Sequence, residues 1–333
     1  MTLAAVFGLS GTALTSDERA LFRESDPAGY CLFARNIADP GQLAALTGEL
    51  RALAGRDVLV MVDQEGGRVA RLKPPHWPEF PPAAAFGRLY AKAPMSAIEA
   101  ARANSEAIGI LLREAGINMN CAPVLDLAYE GAHEIVGDRS FGAEPMQVAA
   151  LGRATLDGLA AAGVAGCIKH MPGHGRCSVD SHWVLPVVDA PREELEADFA
   201  PFRSLAARAP AGMVAHILYD ALDPKRPASI SPTIIAGTIR GDIGFGGLLL
   251  SDDIAMKALS GTPAETARAV VDAGCDLALH CSGVLAEMAE AASAVGEIGE
   301  RSLERLERSM PGPPSAGDWQ ALAAKRDALL AYA

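Results

Sequence analysis

The chain has 333 residues, half of them apolar and 21% charged, which excludes a disordered or fibrous protein because there is enough apolar material for a large core. Its 29 Lys and Arg residues against 41 Asp and Glu residues give a net charge of −12. This acidity makes nucleic acid and anionic membrane surfaces poor partners, since both repel a negatively charged surface.

Eight short apolar runs alternate with amphipathic stretches such as 41–55 and 96–116. The runs cover residues 3–9, 29–34, 57–63, 117–124, 166–170, 211–217, 247–253 and 275–280. Runs rich in Val, Ile and Leu are typical of parallel strands buried on both faces. Eight of them with intervening helices predict an α/β fold, a (β/α)8 barrel of the TIM type, as a single domain over 1–333. A doubly wound sheet is the alternative, but the segment LSGTAL lacks its usual Gly-rich turn.

Several local signals mark the ends of the predicted elements. The Pro-rich stretch 73–87 is expected to be a long loop after the third strand. Ser231 and Thr262, each followed by proline, predict helix starts, and Thr262 with Glu265 matches a capping box. A final packing helix is expected near 316–332.

The six cysteines are scattered without a CxxC pair, so we interpret them as reduced thiols and not as a disulfide framework. The N-terminus lacks the features of a signal peptide. No apolar run approaches the roughly 20 residues that span a bilayer. We therefore expect a soluble, cytoplasmic protein.

Charged or titratable residues follow five of the predicted strands. A single one would be an ordinary solvated strand end, but the active site of a barrel is built at these C-terminal ends, so their joint occurrence favours a site there. These residues are Asp63, Lys169 with His170, His216, Asp252 with Asp253, and His280.

The segment 168–186 is the most informative stretch, and its Pro and Gly residues predict a bend. Asp180 and His182 lie two apart in a predicted extended loop, so both side chains face the same way. A carboxylate beside an imidazole fixes the tautomer and raises the pKa, which suits general acid/base catalysis. An ordinary loop hydrogen bond is the alternative interpretation.

A metal site is a weaker interpretation of the same segment. His170, His174, Cys177 and His182 superficially resemble zinc ligands. Because Pro and Gly interrupt the segment, the first two His do not share a helical face, and we expect no bound metal.

Asp252 and Asp253 are adjacent on a predicted strand, so we expect one of them to face the barrel mouth, as base, metal ligand or nucleophile. Arg71, Arg139 and Lys169 are cations suited to a substrate's hydroxyl or carboxylate groups. The two tryptophans outside the C-terminal region, at positions 77 and 183, are interpreted as loop packing.

Five motifs together resemble the single-domain bacterial β-N-acetylglucosaminidases of glycoside hydrolase family 3. They are KHMPGHG-x4-DSH, VDQEGGRVARL, GINMNCAPVLDL, GDRSFG and LLLSDDIAMKAL. The resemblance extends from about residue 5 to residue 283, and Met171 stands where the family usually has Phe. It implies a barrel and a retaining double displacement that releases terminal β-linked N-acetylglucosamine, especially from muropeptides, with no cofactor.

The resemblance also implies roles for individual residues. Asp252 is the nucleophile, and His182, oriented by Asp180, is the acid and then the base, in place of the usual second carboxylate. The remaining positions are expected to hold the sugar: Asp63, Arg71, Arg139, Lys169 and His170.

Two other classes of function stay open from the sequence. One is a metal-dependent barrel hydrolase that uses His170, His174 and Asp252, and the other is a non-catalytic sugar-binding protein. The expected partner is a small carbohydrate, an N-acetylglucosamine-containing muropeptide, and we expect a monomer.

Overall fold

The structure is a computed structural model that describes residues 2–131, 135–177, 179, 183–314 and 317–332. The strands in chain order are β1 (Leu3–Phe7), β2 (Pro27–Leu32), β3 (Leu59–Val62), β4 (Met119–Asn120), β5 (Ala165–Met171), β6 (Val187–Val188), β7 (Ala211–Val214), β8 (Leu218–Tyr219), β9 (Leu248–Asp253) and β10 (Leu277–His280). All of them except β6 and β8 form a closed parallel barrel in the order β1-β2-β3-β4-β5-β7-β9-β10. The predicted (β/α)8 barrel is confirmed.

Helices follow the strands and cover the barrel. They are α1 (Ser16–Ser25), α2 (Pro40–Ala54), α3 (Ala83–Lys92), α4 (Pro94–Glu114), α5 (Pro145–Ala161), α6 (Arg192–Leu205), α7 (Pro263–Asp272), α8 (Leu285–Ala294), α9 (Glu300–Ser309) and α10 (Trp319–Leu330). Most residues of the barrel strands are buried, which agrees with their continuous apolar runs. None of the described helices is long and apolar enough to cross a membrane.

Some predicted boundaries are wrong for local reasons. Strand β2 starts two residues early, directly after Asp26, whose left-handed φ of 43° ends α1. Strand β4 has two residues instead of the predicted eight, and Pro123, shortly after it, has no N–H to offer the ladder. The Pro-rich stretch is a loop only as far as Pro82, because the alanines that follow it begin α3.

The predicted capping box of α7 is confirmed. The Glu265 amide donates to Thr262 Oγ1 at 3.3 Å, and the Thr262 amide donates to Glu265 Oε2 at 2.8 Å. Ser231 Oγ likewise accepts the Ile234 amide at 3.1 Å, but the segment it starts, Ile234–Asp242, is π-helical. At the other end of the chain α10 packs on α4, where Arg326 donates to Asn104 Oδ1 at 3.1 Å.

A small parallel ribbon outside the barrel was not predicted. It pairs β6 with β8, and the Leu218 amide donates to the Pro186 carbonyl at 3.0 Å. The ribbon therefore anchors the chain directly after the long loop that follows β5.

Candidate active site

A pocket of about 200 Å³ opens at the C-terminal ends of the barrel strands. This is the end at which barrel enzymes carry their active sites. The residues lining it include Cys31, Phe33, Asp63, Arg71, Cys121, Arg139, Lys169, His170, His174, Asp252, Asp253 and Met256. Four strands, β3, β4, β5 and β9, thus contribute the polar groups that the sequence placed at strand ends or in the loops after them.

A buried lysine between two carboxylates forms one wall of this pocket. Lys169 Nζ lies 2.7 Å from Asp63 Oδ1 and 2.7 Å from Glu65 Oε1, and the Lys169 side chain is 2% exposed. The ammonium group donates a hydrogen bond to Asp63 and forms an ion pair with Glu65, which leaves hydrogen for a ligand. The ammonium group is fixed in position by ion pairs that cross the barrel interior from β5 to the loop after β3.

Two arginines extend the same network. Arg139 makes a bidentate pair with Glu65, donating from Nε and from Nη2 at 2.8 Å each. Arg71 Nη2 donates to Asp63 Oδ2 at 3.1 Å. Arg71 Nε is buried and has no hydrogen-bond partner among the described residues. A buried donor without a partner is rare in proteins, so this one is available to a ligand.

The network keeps its members charged. Burial by itself would raise the pKa of the Glu65 carboxyl, but Lys169 and Arg139 lower that pKa to about 2. Burial opposes ionisation of Asp63 in the same way, yet Lys169 and Arg71 hold its pKa well below the usual range. The pKa of Lys169 is raised because the two carboxylates outweigh its burial. At neutral pH all of these groups are ionised.

A second buried carboxylate, Asp126, organises the segment that ends β5. Its Oδ2 lies 2.7 Å from His170 Nδ1, while its Oδ1 accepts the backbone amides of His170 at 3.1 Å and His174 at 2.7 Å. Although burial opposes it, the neighbouring His170 helps lower the pKa of Asp126 to about 2, so an ionised carboxylate accepts the Nδ1 proton. His170 and Lys169 both line the pocket, and the peptide bond between them is cis.

The two consecutive aspartates at the end of β9 have different environments. Both border the pocket, so the expectation that only one faces it is wrong. Asp253 Oδ1 accepts the amides of Ala255 at 3.0 Å and Cys281 at 2.9 Å, which ties it to the backbone, and burial raises its pKa. Burial would also raise the pKa of Asp252, but the nearby His170 and the 2.8 Å hydrogen bond from the Asp253 amide help to lower it.

Behind Asp252 lies His216, which is fully buried. Its Nε2 lies 3.1 Å from the Asp253 carbonyl oxygen, and its Nδ1 lies 2.7 Å from Ser229 Oγ. Because a carbonyl only accepts, Nε2 carries the proton and Nδ1 accepts from the serine. Burial lowers the pKa of His216, so this neutral tautomer is the one that fixes the backbone at the end of β9.

The structure brings most of the predicted site residues together. Asp63, Arg71, Arg139, Lys169, His170 and Asp252 all line the pocket. Asp180 and His182, the predicted acid/base pair, lie outside the described residues. His280 does not line the pocket; it is buried and lies 3.7 Å from Glu287.

Glu65 and Asp126 were missed by the sequence reasoning. Both stand inside motifs that it quoted, Glu65 in DQEGG and Asp126 in VLDL. The available signal was that each carboxylate follows the apolar run of a strand by only a few residues. Their partners, Arg139 for Glu65 and His170 for Asp126, are 74 and 44 residues away along the chain. The pairings themselves could therefore not be predicted from the sequence.

The geometry also bears on the metal interpretation. Among the residues that the structure describes, no three His, Cys, Asp or Glu side chains are grouped to hold a metal ion. His174 is a poor base because burial, with the nearby His170, lowers its pKa to about 4.

The two loop tryptophans differ in exposure. Trp77 is buried as predicted, but Trp183 is 64% exposed, so its interpretation as loop packing is wrong.

Comparison with known proteins gives a consistent result. Residues 5–310 match the model of the glycosyl hydrolase family 3 N-terminal domain. The chain is 39% identical over 279 residues to a β-hexosaminidase of Aromatoleum aromaticum, covering 82% of this chain and 78% of that protein. It is 35% identical over 320 residues to a β-hexosaminidase of Bordetella avium, covering 95% and 90%. Among solved structures it is similar to NagZ from Neisseria gonorrhoeae in complex with N-trifluoroacetyl-D-glucosamine, with a TM-score of 0.89, 31% identity and coverage of 99% and 98%.

Proposed function

Since this chain belongs to glycosyl hydrolase family 3 and is a glycoside hydrolase, we propose that it is an exo-acting, retaining β-N-acetylhexosaminidase. Its substrates would be muropeptides or chitooligosaccharides, from which it releases terminal β-linked N-acetylglucosamine. The β-hexosaminidase names of its relatives and the N-acylglucosamine bound by the gonococcal protein support this choice. The small volume of the pocket, about 200 Å³, favours one terminal sugar over an internal segment of a polymer.

The observation that carries the proposal is the placement of Asp252. Its carboxylate is ionised, lies at the end of β9 and faces a wall of fixed hydrogen-bond donors and acceptors. In the proposed first step this carboxylate attacks the anomeric carbon while His182 donates a proton to the leaving oxygen. In the second step His182 takes a proton from water, which displaces Asp252 and gives the sugar with retained configuration.

The other pocket residues are proposed to hold the sugar. Lys169 offers a remaining ammonium hydrogen, and Arg71 offers its unpartnered Nε–H, to the hydroxyl groups. Asp63 accepts hydroxyl protons on lone pairs that its two cations leave unused. Arg139 and His170 complete the set assigned to sugar binding. Because these donors are already fixed by ion pairs, little ordering is needed when the sugar binds.

The experiment that tests the proposal is covalent trapping. A 5-fluoro-N-acetylglucosaminyl fluoride slows the second step, so the intact mass of the enzyme should rise by one fluorinated sugar. Peptide mapping should place the modification on Asp252. An unmodified enzyme, or a label on Asp253, would contradict the proposed mechanism. Asp252→Asn is the control, and it should remain unlabelled.

We also propose that the enzyme works in the cytoplasm and as a monomer. All six cysteines are buried and unpaired, which suits a reducing compartment. The pocket is closed within one barrel, so one copy would suffice for activity. Light scattering after size-exclusion chromatography at assay concentration tests the monomer, and the mass of a dimer would overturn it.

A further inference from the structure

Sulfur atoms form part of the wall of the barrel pocket. The lining residues that carry sulfur are Cys31, Cys121, Met213, Met256 and Cys281. Cys31 lies in β2 and Met213 lies in β7. Cys121 directly follows β4, and Cys281 directly follows β10. These four strands are every second strand of the barrel, and side chains from alternate strands fill a barrel in layers of four. The layer that meets this pocket therefore consists of sulfur-bearing residues.

Cys31 is the centre of the group. It shares one side-chain hydrogen bond with Cys121 and another with Cys281. The second contact crosses the end of β1, which runs between β2 and β10. Strand β1 is followed by Gly8, which has no side chain to separate the two sulfurs. The three cysteines are thus three thiols in mutual reach at the pocket, each of them buried and free.

These thiols are protonated at neutral pH. Burial raises the pKa of Cys281 to about 12, and the hydrogen bond with Cys31, together with burial, raises the pKa of Cys121 well above its usual range. The hydrogen bond with Cys121 opposes the shift of Cys31, but the bond with Cys281 and burial outweigh it and raise that pKa too. Peroxides and disulfides react with thiolates, so these conditions disfavour oxidation of the group. A soft metal ion, in contrast, binds a thiol by displacing its proton.

The ligand set selects the kind of ion. Thiol and thioether sulfurs are soft ligands that favour Cu(I). Two sulfurs satisfy this ion, whereas a structural zinc site takes four ligands. A site of two thiols agrees with the lack, among the described residues, of three His, Cys, Asp or Glu side chains grouped to hold a metal. With one thiolate and one neutral sulfur, bound Cu(I) carries no net charge, which suits a buried position.

We propose that Cys31, with Cys121 or Cys281, forms a binding site for one soft monovalent cation, Cu(I), and that the bound ion blocks the sugar pocket. The ion bonds to the Cys31 sulfur, the displaced proton goes to solvent, and no oxidant or reductant takes part. Asp63, one of the groups proposed to hold the sugar, is close enough to raise the pKa of all three thiols. The ion and the sugar therefore compete for one space. Binding of the ion is independent of the proposed function, whereas the inhibition rests on it.

Ag(I) is the probe that tests this site, because it has the charge and the sulfur preference of Cu(I) without its redox cycling. Native mass spectrometry of the full chain in chloride-free buffer should show one Ag(I) in place of one proton. Cys31→Ser should weaken Ag(I) binding on the order of 100-fold, since it removes the sulfur common to both pairs. Cys121→Ser and Cys281→Ser should each weaken it less, because Cys31 keeps one partner.

A double variant provides a second route to the same test. Cys121→Ser with Cys281→Ser leaves Cys31 alone and should bind Ag(I) as weakly as Cys31→Ser does, so the site is tested even if one of these proteins fails to fold. The matched control is Cys275→Ser, which makes the same change in a buried thiol that does not line the pocket and should bind Ag(I) like the wild type.

Hydrolysis of an aryl β-N-acetylglucosaminide, compared with each protein's own untreated rate, measures the blocking. One equivalent of Ag(I) should abolish the wild-type rate, and added N-acetylglucosamine should protect against it. No Ag(I) on the wild type, or equal affinity in the wild type and Cys31→Ser, would overturn the site. Tight cysteine-dependent binding with full activity would overturn the blocking. A wild type that lacks hydrolase activity would overturn the proposed function, while the mass measurement still decides the site.

Discussion

Glu65 is the clearest place to test how the pocket wall is built, because it joins Lys169 to Arg139. Glu65→Gln keeps the shape of the side chain but removes its charge, and an amide nitrogen then faces the donors of the arginine. The three side chains are 8%, 2% and 11% exposed, so solvent screens the loss poorly. Breaking one partner out of a buried ion pair costs about 3–5 kcal/mol.

The pKa of Glu65 gives a second route to the same magnitude. Lowering it from an ordinary 4.5 to about 2 corresponds to about 3 kcal/mol of stability at neutral pH. Since the pKa in the folded state is depressed, this contribution is complete above about pH 4.5 and is lost as the pH falls toward 2. The stability difference between wild type and Glu65→Gln should therefore shrink with acidification.

Urea denaturation followed by circular dichroism at pH 7 and at pH 3.5 measures both effects. The control is Glu49→Gln, which makes the same chemical change in an exposed pair, where Glu49 lies 2.6 Å from Arg19 and both side chains are more than a third exposed. That variant should lose less than about 1 kcal/mol. If Glu65→Gln loses no more than Glu49→Gln, or if its deficit is the same at both pH values, the buried network does not stabilise the fold as argued.

Three further predictions concern the reaction. Asp252→Asn should lower kcat on the order of 10³-fold or more with an unchanged urea midpoint, whereas a dead Asp253→Asn with an active Asp252→Asn would reverse the assignment. His182→Ala should give a burst of nitrophenolate from the aryl glycoside, followed by slow turnover. Azide should accelerate this turnover and form the β-glycosyl azide. An equal loss of rate on substrates with good and poor leaving groups would make His182 a structural residue. His216→Ala should lower kcat/KM about 10- to 100-fold, because a buried hydrogen bond to the backbone of Asp253 is lost. His216→Gln restores an N–H donor and should recover most of the lost kcat/KM. A His216→Gln variant as impaired as His216→Ala would contradict this role.

The barrel could be predicted from the sequence because its signal is local. Each buried strand is a short apolar run, and most predicted runs overlap an observed strand. Boundaries failed where one residue decides the geometry, as at Asp26, whose left-handed conformation starts β2 earlier than hydrophobicity indicates. The two-residue strand β4 shows the same limit, because pattern alone extended it past Pro123.

The site was predictable as a set of positions and unpredictable as a set of partners. Residue type and strand order placed Asp63 and Lys169 at the same end of the barrel. Their 2.7 Å contact spans 106 residues of sequence, and nothing in either segment specifies the other. The exposure of Trp183 was missed for a related reason. An aromatic residue in a loop belongs to no periodic pattern that would show whether its side chain is buried or exposed to solvent.

The proposed role of Asp252 is supported by a comparison with the other carboxylates around the pocket. Asp63 and Glu65 are held by cations, and Asp126 accepts from His170 Nδ1 and from two backbone amides. Their negative charge is balanced and their positions are fixed, which makes them good binding groups and poor nucleophiles. Asp252 takes part in none of the ion pairs among the described residues, and one of its oxygens accepts a single backbone amide. Asp253 accepts two backbone amides. We therefore propose Asp252 as the nucleophile, because it is an ionised carboxylate whose remaining lone pairs have no partner among the described residues.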